Sequence, residues 1–393
     1  MLLYLAVFSK VIAYLLWMEG IRAIGSGSGG SIGIDNTPCS DRVLHKGIGG
    51  ILSCGCSRES TTRNRVGFPI AAASATWPAA GGDRSLASLT LRIPVKTLDG
   101  KELLPAGTRI TDSVLSRLAA SGAGQRFPEM PLLEYGTLRR DLHTFTRQSA
   151  YRVIFNDSER LNAVLSVMER TLLPVPVLEA LRYYRRNDSY TYRHILMVFS
   201  LSCLLARDLG HDRRDILKEA AAGPLHDIGK ISVPLKVLRK TTPLTRSERT
   251  LLEHHPISGH VLLCYYLTDP KRFATKVARD HHERRDGSGY PRGIRLNDRL
   301  LEIVAVCDVY DALISPRPYR RVSFDNRTAI EEITRMAERV EIDWEIVTAL
   351  VSHNRKHRPP RQECKVSLEK RGKPPEGNLY GIVLEDDPLP LPG

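Results

Sequence analysis

No stretch of this sequence runs for the ~20 apolar residues that a membrane-spanning helix requires. The nearest approach, residues 1–18 (MLLYLAVFSKVIAYLLWM), is interrupted by Lys10 and falls short. It also lacks the positive charge before an apolar run and the small-residue cleavage site that mark a secretory signal. Cysteine is sparse and odd in number, seven in all. Cys54 and Cys56 stand too close for zinc-knuckle spacing. Cys203, Cys264 and Cys307 lie in apolar runs, as buried thiols do. A disulfide framework is therefore not expected, and a reducing, cytoplasmic setting is. Acids are short too: 44 Asp and Glu face 57 Lys and Arg, for a net charge of +13. That excess suits an anionic partner such as a nucleotide, although a solvated basic surface would give the same count.

What is present is otherwise ordinary for a globular chain. Its 393 residues are 42% hydrophobic and 26% charged, enough for two modest cored domains. Residues 19–84, beginning near GSGSGGSIG, show no periodicity and read as disordered. Residues 1–84 as a whole read either as a weak membrane contact or as an extension foreign to the physiological protein. Leu89, Leu91, Ile93 and Val95 alternate as in a strand. Asp99-Gly100 signals a turn, and Thr111 is placed to cap a helix carrying Val114, Leu115 and Leu118. A small α/β module over 86–150 follows. From Leu161 the periodicity is helical. Residues 195–209 (ILMVFSLSCLLARDL) are apolar nearly all round, which predicts a central helix; the run is too short to span a membrane. Further helices are expected over 300–313, 328–340 and 344–351. The reading is a mainly α protein with a helical domain over 158–353 and a disordered, Pro-rich tail over 354–393.

Chemistry concentrates in one window. Eight of the twelve histidines lie between His194 and His282, far more than even scatter would place there. In HDIGK (226–230), a helix would point His226 and Asp227 about 100° apart and set Lys230 on the face of His226. Imidazole and carboxylate hold metal, and an ammonium receives phosphate oxygens. A helix end capped by Gly229, with His226 incidental, explains the pentapeptide equally well. The distant pieces favour chemistry. His194 opens the central helix, and His255 lies in HHPISGH. His281 and His282 precede a glycine-rich turn in HHERRDGSGYP (281–291). Asp308 and Asp311 share a face of an otherwise apolar helix, where buried carboxylates are costly unless paired or bound to a cation. Five histidines with one or two carboxylates exceed one tetrahedral zinc site and suit two ions ~3.5–4 Å apart.

Between about 185 and 325 the sequence resembles the HD-GYP family, the branch of the HD superfamily that hydrolyses cyclic diguanylate (cyclic di-GMP). The resemblance is carried by DSYTYRH (188–194), HDIGKISVP (226–234), HHPISGH (254–260), HHERRDGSGYP (281–291) and CDVYDALISPRPYR (307–320). It implies an all-helical HD-type domain whose metal ligands are His194, His226, Asp227, His255, His281, His282 and Asp308, with Asp227 bridging two ions. It implies that Asp227 and Lys230 are catalytic, with Lys230 on the scissile phosphate. Tyr290 would pack on a guanine, and Arg317 and Arg320 would hold guanine or phosphate. Two divalent ions, iron or manganese, are expected, because a Glu that some members use for a third metal is Tyr190 here. The implied substrate is cyclic di-GMP, cleaved to linear pGpG or GMP. No nucleic acid polymer is expected as a partner, a homodimer or signalling-protein partner stays open, and residues 1–84 are expected to be dispensable for hydrolysis. One departure is Gly223-Pro224, which would break or restart a helix just before His226. The alternatives are a catalytically weak cyclic di-GMP-binding module and an HD phosphohydrolase for another nucleotide. His254 is expected to face solvent; His211 and His260 are expected to be structural.

Overall fold

The computed structural model describes residues 89–386 apart from 213, 215, 217–221, 368, 380 and 381. The expectations for residues 1–84 lie outside this range. The described chain is mainly helical. It opens with an antiparallel hairpin, β1 (Val95–Lys96) and β2 (Glu102–Leu104). Gly100 turns it with a φ of +90°, which glycine adopts at no steric cost. Helix α1 (Asp112–Ala123) follows, and the Thr111 hydroxyl accepts from the Val114 amide as the sequence predicts. The longer strand expected from Leu89 is not formed. Leu89 and Leu91 are buried, but only Val95–Lys96 pairs as strand.

Strand β3 (Glu129–Pro131) pairs antiparallel with β4 (Leu172–Pro174) across α2 (Leu138–Thr146) and α3 (Ser158–Met168). Residues 86–150 and 158–353, expected as separate domains, thus share a ribbon. They also share one apolar core running from Leu89 to Val351. Phe127 packs edge-on against Tyr265 and Tyr266, and Lys101 Nζ donates to the Tyr265 hydroxyl at 2.8 Å.

Three helices that read as apolar on all sides form the centre. After α4 (Val175–Asn187), α5 (Ser189–Asp208) is buried along most of its length, its N-terminus capped by Asp188. Beyond α6 (Arg246–Leu252), α7 (His255–Tyr266) is buried at every residue. After α8 (Phe273–Asp280), α9 (Arg299–Ile314) packs along α5. Each large aliphatic side chain removed from water here contributes about 1.5–3 kcal/mol. No helix among the described residues is long and apolar enough to cross a membrane. Helices α10 (Asn326–Glu338) and α11 (Trp344–His353), capped by Asp325 and Asp343, close the bundle.

Two expectations are corrected. HDIGK is not an α-helix: Gly223–Leu225 and Ile228–Ser232 are short 3-10 segments, with His226 and Asp227 at their junction. The tail from 354 is not free. The Glu331 carboxylate accepts from the amides of Arg371 and Gly372 at 3.0 and 2.7 Å, and Val383–Leu384 pairs parallel with Leu244–Thr245.

Close approach at glycine seats the 3-10 segments. A Cβ on Gly223 would stand 2.9 Å from Phe199 Cα on α5, and one on Gly229 would overlap the His255 carbonyl and the Gly259 amide on α7. Both obstacles at Gly229 are backbone and cannot swing aside. Gly229→Ala is therefore expected to cost about 1–3 kcal/mol or more, the range for overpacking a core. Urea unfolding that left the midpoint unchanged would show that the segment can move away from α7.

Candidate metal centre

Five elements deliver the histidines and acids to one place. His194 comes from α5 and His255 from the first turn of α7. His281 and His282 follow the last residue of α8, and Asp308 lies on α9. His226 and Asp227 sit between the 3-10 segments. The side chains gather as two triads, His194–His226–Asp308 and His255–His281–His282, within each of which the ligand atoms lie within 4.8 Å of one another.

Asp227 stands between the triads. Its Oδ2 is 3.5 Å from His194 Nε2 and 3.4 Å from His226 Nε2, while its Oδ1 is 3.2 Å from His255 Nε2 and 3.9 Å from His281 Nε2. One carboxylate oxygen thus serves each triad, the arrangement a bridging carboxylate needs. All seven residues expected from the sequence as ligands are brought together.

The outward ring nitrogens decide which way the inward ones face. His226 Nδ1 donates to the Gly223 carbonyl at 2.6 Å, His255 Nδ1 to Leu252 at 2.7 Å, and His281 Nδ1 to Val277 at 3.0 Å. A carbonyl can only accept, so these partners assign the proton to Nδ1. Each Nε2 then turns a lone pair inward. His226 Nε2 faces His194 Nε2 at 3.4 Å, and His255 Nε2 faces His281 Nε2 at 3.3 Å and His282 Nε2 at 3.2 Å. Lone pairs at that distance form no hydrogen bond, and the rings of the first four are all but buried. A divalent cation between them satisfies every donor atom, so the residues fit metal.

Protonation suits this. Burial, with His226 and His255 close by, pushes His281 down to about 3, and burial with His281 alongside holds His282 well below its usual range. Burial works against charge on Asp227, but Lys230 and His226 outweigh it and keep the carboxyl well below the usual range. His281 and His282 are thus held neutral beside an ionised bridge, the forms that ligate metal; burial also works against charge on His226, but Asp227 and Asp308 outweigh it and raise that imidazole.

Around these ligands stand residues whose role the sequence did not reveal. Asp311, fully buried, accepts from His194 Nδ1 at 2.6 Å, and the Tyr151 and Ser315 hydroxyls bond to it in turn. The signal was its three-residue spacing from Asp308. Tyr184 donates to the Ile228 carbonyl at 2.9 Å and steadies the turn after Asp227. Glu283 accepts from the amides of Arg292 and Ile294 at 2.7 and 3.0 Å and pins both ends of the glycine-rich loop. In that loop, a Cβ on Gly289 would overlap the His282 carbonyl and Glu283 Cα, so only glycine lets the chain fold back so closely.

The remaining expected site residues fall differently. Lys230 Nζ donates to Asp227 Oδ2 at 2.6 Å, three residues back along a 3-10 turn rather than across a helix face from His226. The Tyr290 ring stacks on His282, centroids 4.5 Å apart and planes 16° apart. Arg317 reaches His194 Nδ1 at 3.0 Å and Asp311 Oδ2 at 3.9 Å. Arg320 does not face the site: it is buried, donates to the Ala312, Leu313 and Ser315 carbonyls at the end of α9, and lies over Phe324. Those unpaired helix-end acceptors claim its guanidinium. His254 is not at the surface either. It is buried, and its Nε2 accepts from the Arg92 amide at 3.3 Å. His260 is structural as expected, bonded to the Thr275 carbonyl.

Outer-sphere partners of metal-bound histidine typically carry ~10–100-fold in metal affinity. Asp311→Ala is expected to weaken metal retention by that factor, read by elemental analysis after dialysis against graded chelator. Retention equal to the parent protein would remove Asp311 from the centre.

The HD domain family pattern matches residues 176–346. A cyclic di-GMP phosphodiesterase of Pseudomonas aeruginosa is 40% identical over 158 residues, which cover 39% of this chain and 36% of that protein. A cyclic di-GMP phosphodiesterase of Thermotoga maritima is 37% identical over 164 residues, covering 41% of this chain and 43% of that protein. A 3'3'-cGAMP-specific phosphodiesterase of Vibrio cholerae is 32% identical over 164 residues, covering 41% and 36%. The chain thus spans well under two thirds of the length of these relatives. The two histidine triads, the aspartate between them and the glycine-tyrosine-proline loop lie within the region that matches the HD domain, consistent with the HD-GYP family.

Proposed function

We propose that this chain is a metal-dependent phosphodiesterase that hydrolyses cyclic di-GMP to linear pGpG or GMP in bacterial second-messenger signalling. The observation that carries the reading is Asp227, with one carboxylate oxygen turned to each histidine triad. The names of the similar proteins support the substrate. When bound, a pair of divalent cations supplies Lewis-acid stabilisation of charge on a phosphoryl oxygen and activates water. His194, His226 and Asp308 would hold one cation, His255, His281 and His282 the other, and Asp227 both. Iron and manganese suit this set of imidazoles and carboxylates. Tyr190, exposed on the first turn of α5, offers no carboxylate for a third.

The chain's own residues do the rest. Lys230 holds a positive charge 2.6 Å from the bridging carboxylate, where it can turn to an incoming phosphate. Asp311 keeps the His194 proton on Nδ1 and so frees Nε2. Tyr290 fixes the plane of His282 by stacking, and its ring stands at the lip where a guanine would lie. The Gly223-Pro224 break does not displace His226, since the Gly223 carbonyl is the acceptor that orients it. That favours an active site over a catalytically weak binding module. Cys203, Cys264 and Cys307, buried and in no disulfide, fit a cytoplasmic location.

Asp227→Ala is expected to abolish hydrolysis and empty both metal sites, a larger loss than the ~10–100-fold of an outer-sphere change. Metal analysis together with chromatography of pGpG and GMP checks it. Turnover near the parent rate would overturn the bridging role, and a fully metallated parent that leaves cyclic di-GMP intact would overturn the function.

Tyr290→Ala separates two duties of one ring. An aromatic stack is worth about 0.5–1.5 kcal/mol, so losing the His282 contact is expected to weaken metal retention roughly 2- to 12-fold at about 1.4 kcal/mol per decade. Chelator titration checks this; metals held as before, with only KM raised, would instead leave guanine stacking as the ring's role.

A further inference from the structure

Beside the metal centre lies a cavity of about 570 Å³, within the size range of ligand pockets. It opens between the end of α4, the start of α5 and the turn after α9, and its lining is strongly basic: Arg186, Arg239, Arg317 and Arg321. Asp188 is the lone acid among the lining residues, and its carboxylate already accepts from the Thr191 amide and hydroxyl at 3.3 and 2.6 Å. Among the described residues, no carboxylate lies within ion-pair distance of Arg186, Arg239 or Arg321, whereas Arg182 and Arg185 on α4 are paired with Glu179 and Asp141. The fourth, Arg317, has a side chain only 10% exposed, and its Nε is buried without a partner. Four like charges around one hollow repel one another; Arg317 is offset by Asp311 at 3.9 Å, but Arg186, Arg239 and Arg321 have no acid within ion-pair distance among the described residues. The start of α5, a 20-residue helix, adds the positive end of its dipole. Arg317 joins this hollow to the metal centre, since it reaches His194 at 3.0 Å.

A cyclic dinucleotide has two phosphodiesters, and only one can lie over Asp227 at a time. Resting on the function proposed above, we infer that this cavity is a second anion subsite, in which Arg186, Arg239 and Arg321 hold the phosphodiester that is not being cleaved. Arg317 sits between the two subsites. The arginines act on affinity rather than on the chemical step, because they touch the part of the substrate that does not react. They also select for length: a substrate with a single phosphodiester fills the metal centre and leaves the cavity empty.

The test uses the metal-loaded full chain with Arg186→Gln, Arg239→Gln, Arg321→Gln and the triple variant. Steady-state kinetics are measured on cyclic di-GMP and on bis(p-nitrophenyl) phosphate, which carries one phosphodiester. Charge-assisted contacts of this kind predict a KM for cyclic di-GMP raised about 10-fold by each single change and about 100-fold or more by the triple. The KM for the small diester should move by less than about twofold, since it makes none of these contacts. Thermal stability should hold or rise, because unpaired like charges are removed. A KM for cyclic di-GMP that stays put in the triple variant, or rises equally for both substrates, overturns the subsite while leaving the phosphodiesterase reading intact. A parent protein that cleaves the small diester but neither binds nor cleaves cyclic di-GMP overturns the substrate assignment and the subsite with it.

Discussion

Backbone carbonyls fix the direction of three imidazoles in the interior of this protein, and the centre follows from that. The Gly223, Leu252 and Val277 oxygens each accept from an Nδ1, so His226, His255 and His281 have no choice but to turn Nε2 inward. His194 is set the same way by a carboxylate, Asp311. These acceptors come from the backbone of a turn and of helix ends, where carbonyls run short of amide donors; the Val277 oxygen takes the His281 amide as well as its ring nitrogen, using both lone pairs. The site therefore depends on where helices stop as much as on which residues they carry. Leu252 is the last residue of α6, Val277 lies in the last turn of α8, and Gly223 opens a 3-10 segment.

The same logic explains the glycines. Asp227 can face both triads only if its segment lies against α5 on one side and α7 on the other. Gly223 removes the Cβ that would meet Phe199, and Gly229 removes the one that would meet the His255 carbonyl. The break before His226, which on sequence grounds threatens the site, is what lets the turn enter it. Proline at 224 costs nothing there, because the first amides of a helical turn have no partner to lose.

How much of this was legible in the sequence depended on whether the information was local. The central helices were legible, since apolar residues on every face at 195–209 leave a helix nowhere to sit but the core. The identity of the clustered residues was legible from their spacing and motif. Direction was not. Asp308 and Asp311 lie on one face of α9, and only packing decides that one faces the triad while the other backs His194. Arg317 and Arg320 look alike in RPYR, but the helix end claims the second. His254 became a buried acceptor because Arg92, 162 residues earlier, packs over it. Composition suggested a free tail, but the Glu331 carboxylate, 40 residues upstream of Arg371, holds it. The buried His254, the backing Asp311 and the held tail were missed because their partners are distant in sequence; Arg320 was missed because its partners, five to eight residues back, depend on where α9 ends.

A centre of this kind works against the fold that holds it. Asp227, Asp308 and Asp311 are buried carboxylates, and inward lone pairs without a cation gain nothing for being buried. The opposing terms are Lys230 on Asp227, Arg317 near Asp311, and above all the apolar burial of α5, α7 and α9, which holds the ligands whether or not they attract one another. Cations that bind the folded chain alone add stability as RT ln(1 + [L]/Kd), about 4.1 kcal/mol at a concentration 1,000 times Kd. Because the ligands come from five separate segments, that gain is spread across contacts among α5, α7, α8, α9 and the turn between them. With cations bound at this centre, metal affinity and global stability would be coupled. Changes outside the ligand set, at Gly229 or Asp311, act on both because they govern where the backbone acceptors and carboxylates stand relative to the rings they orient.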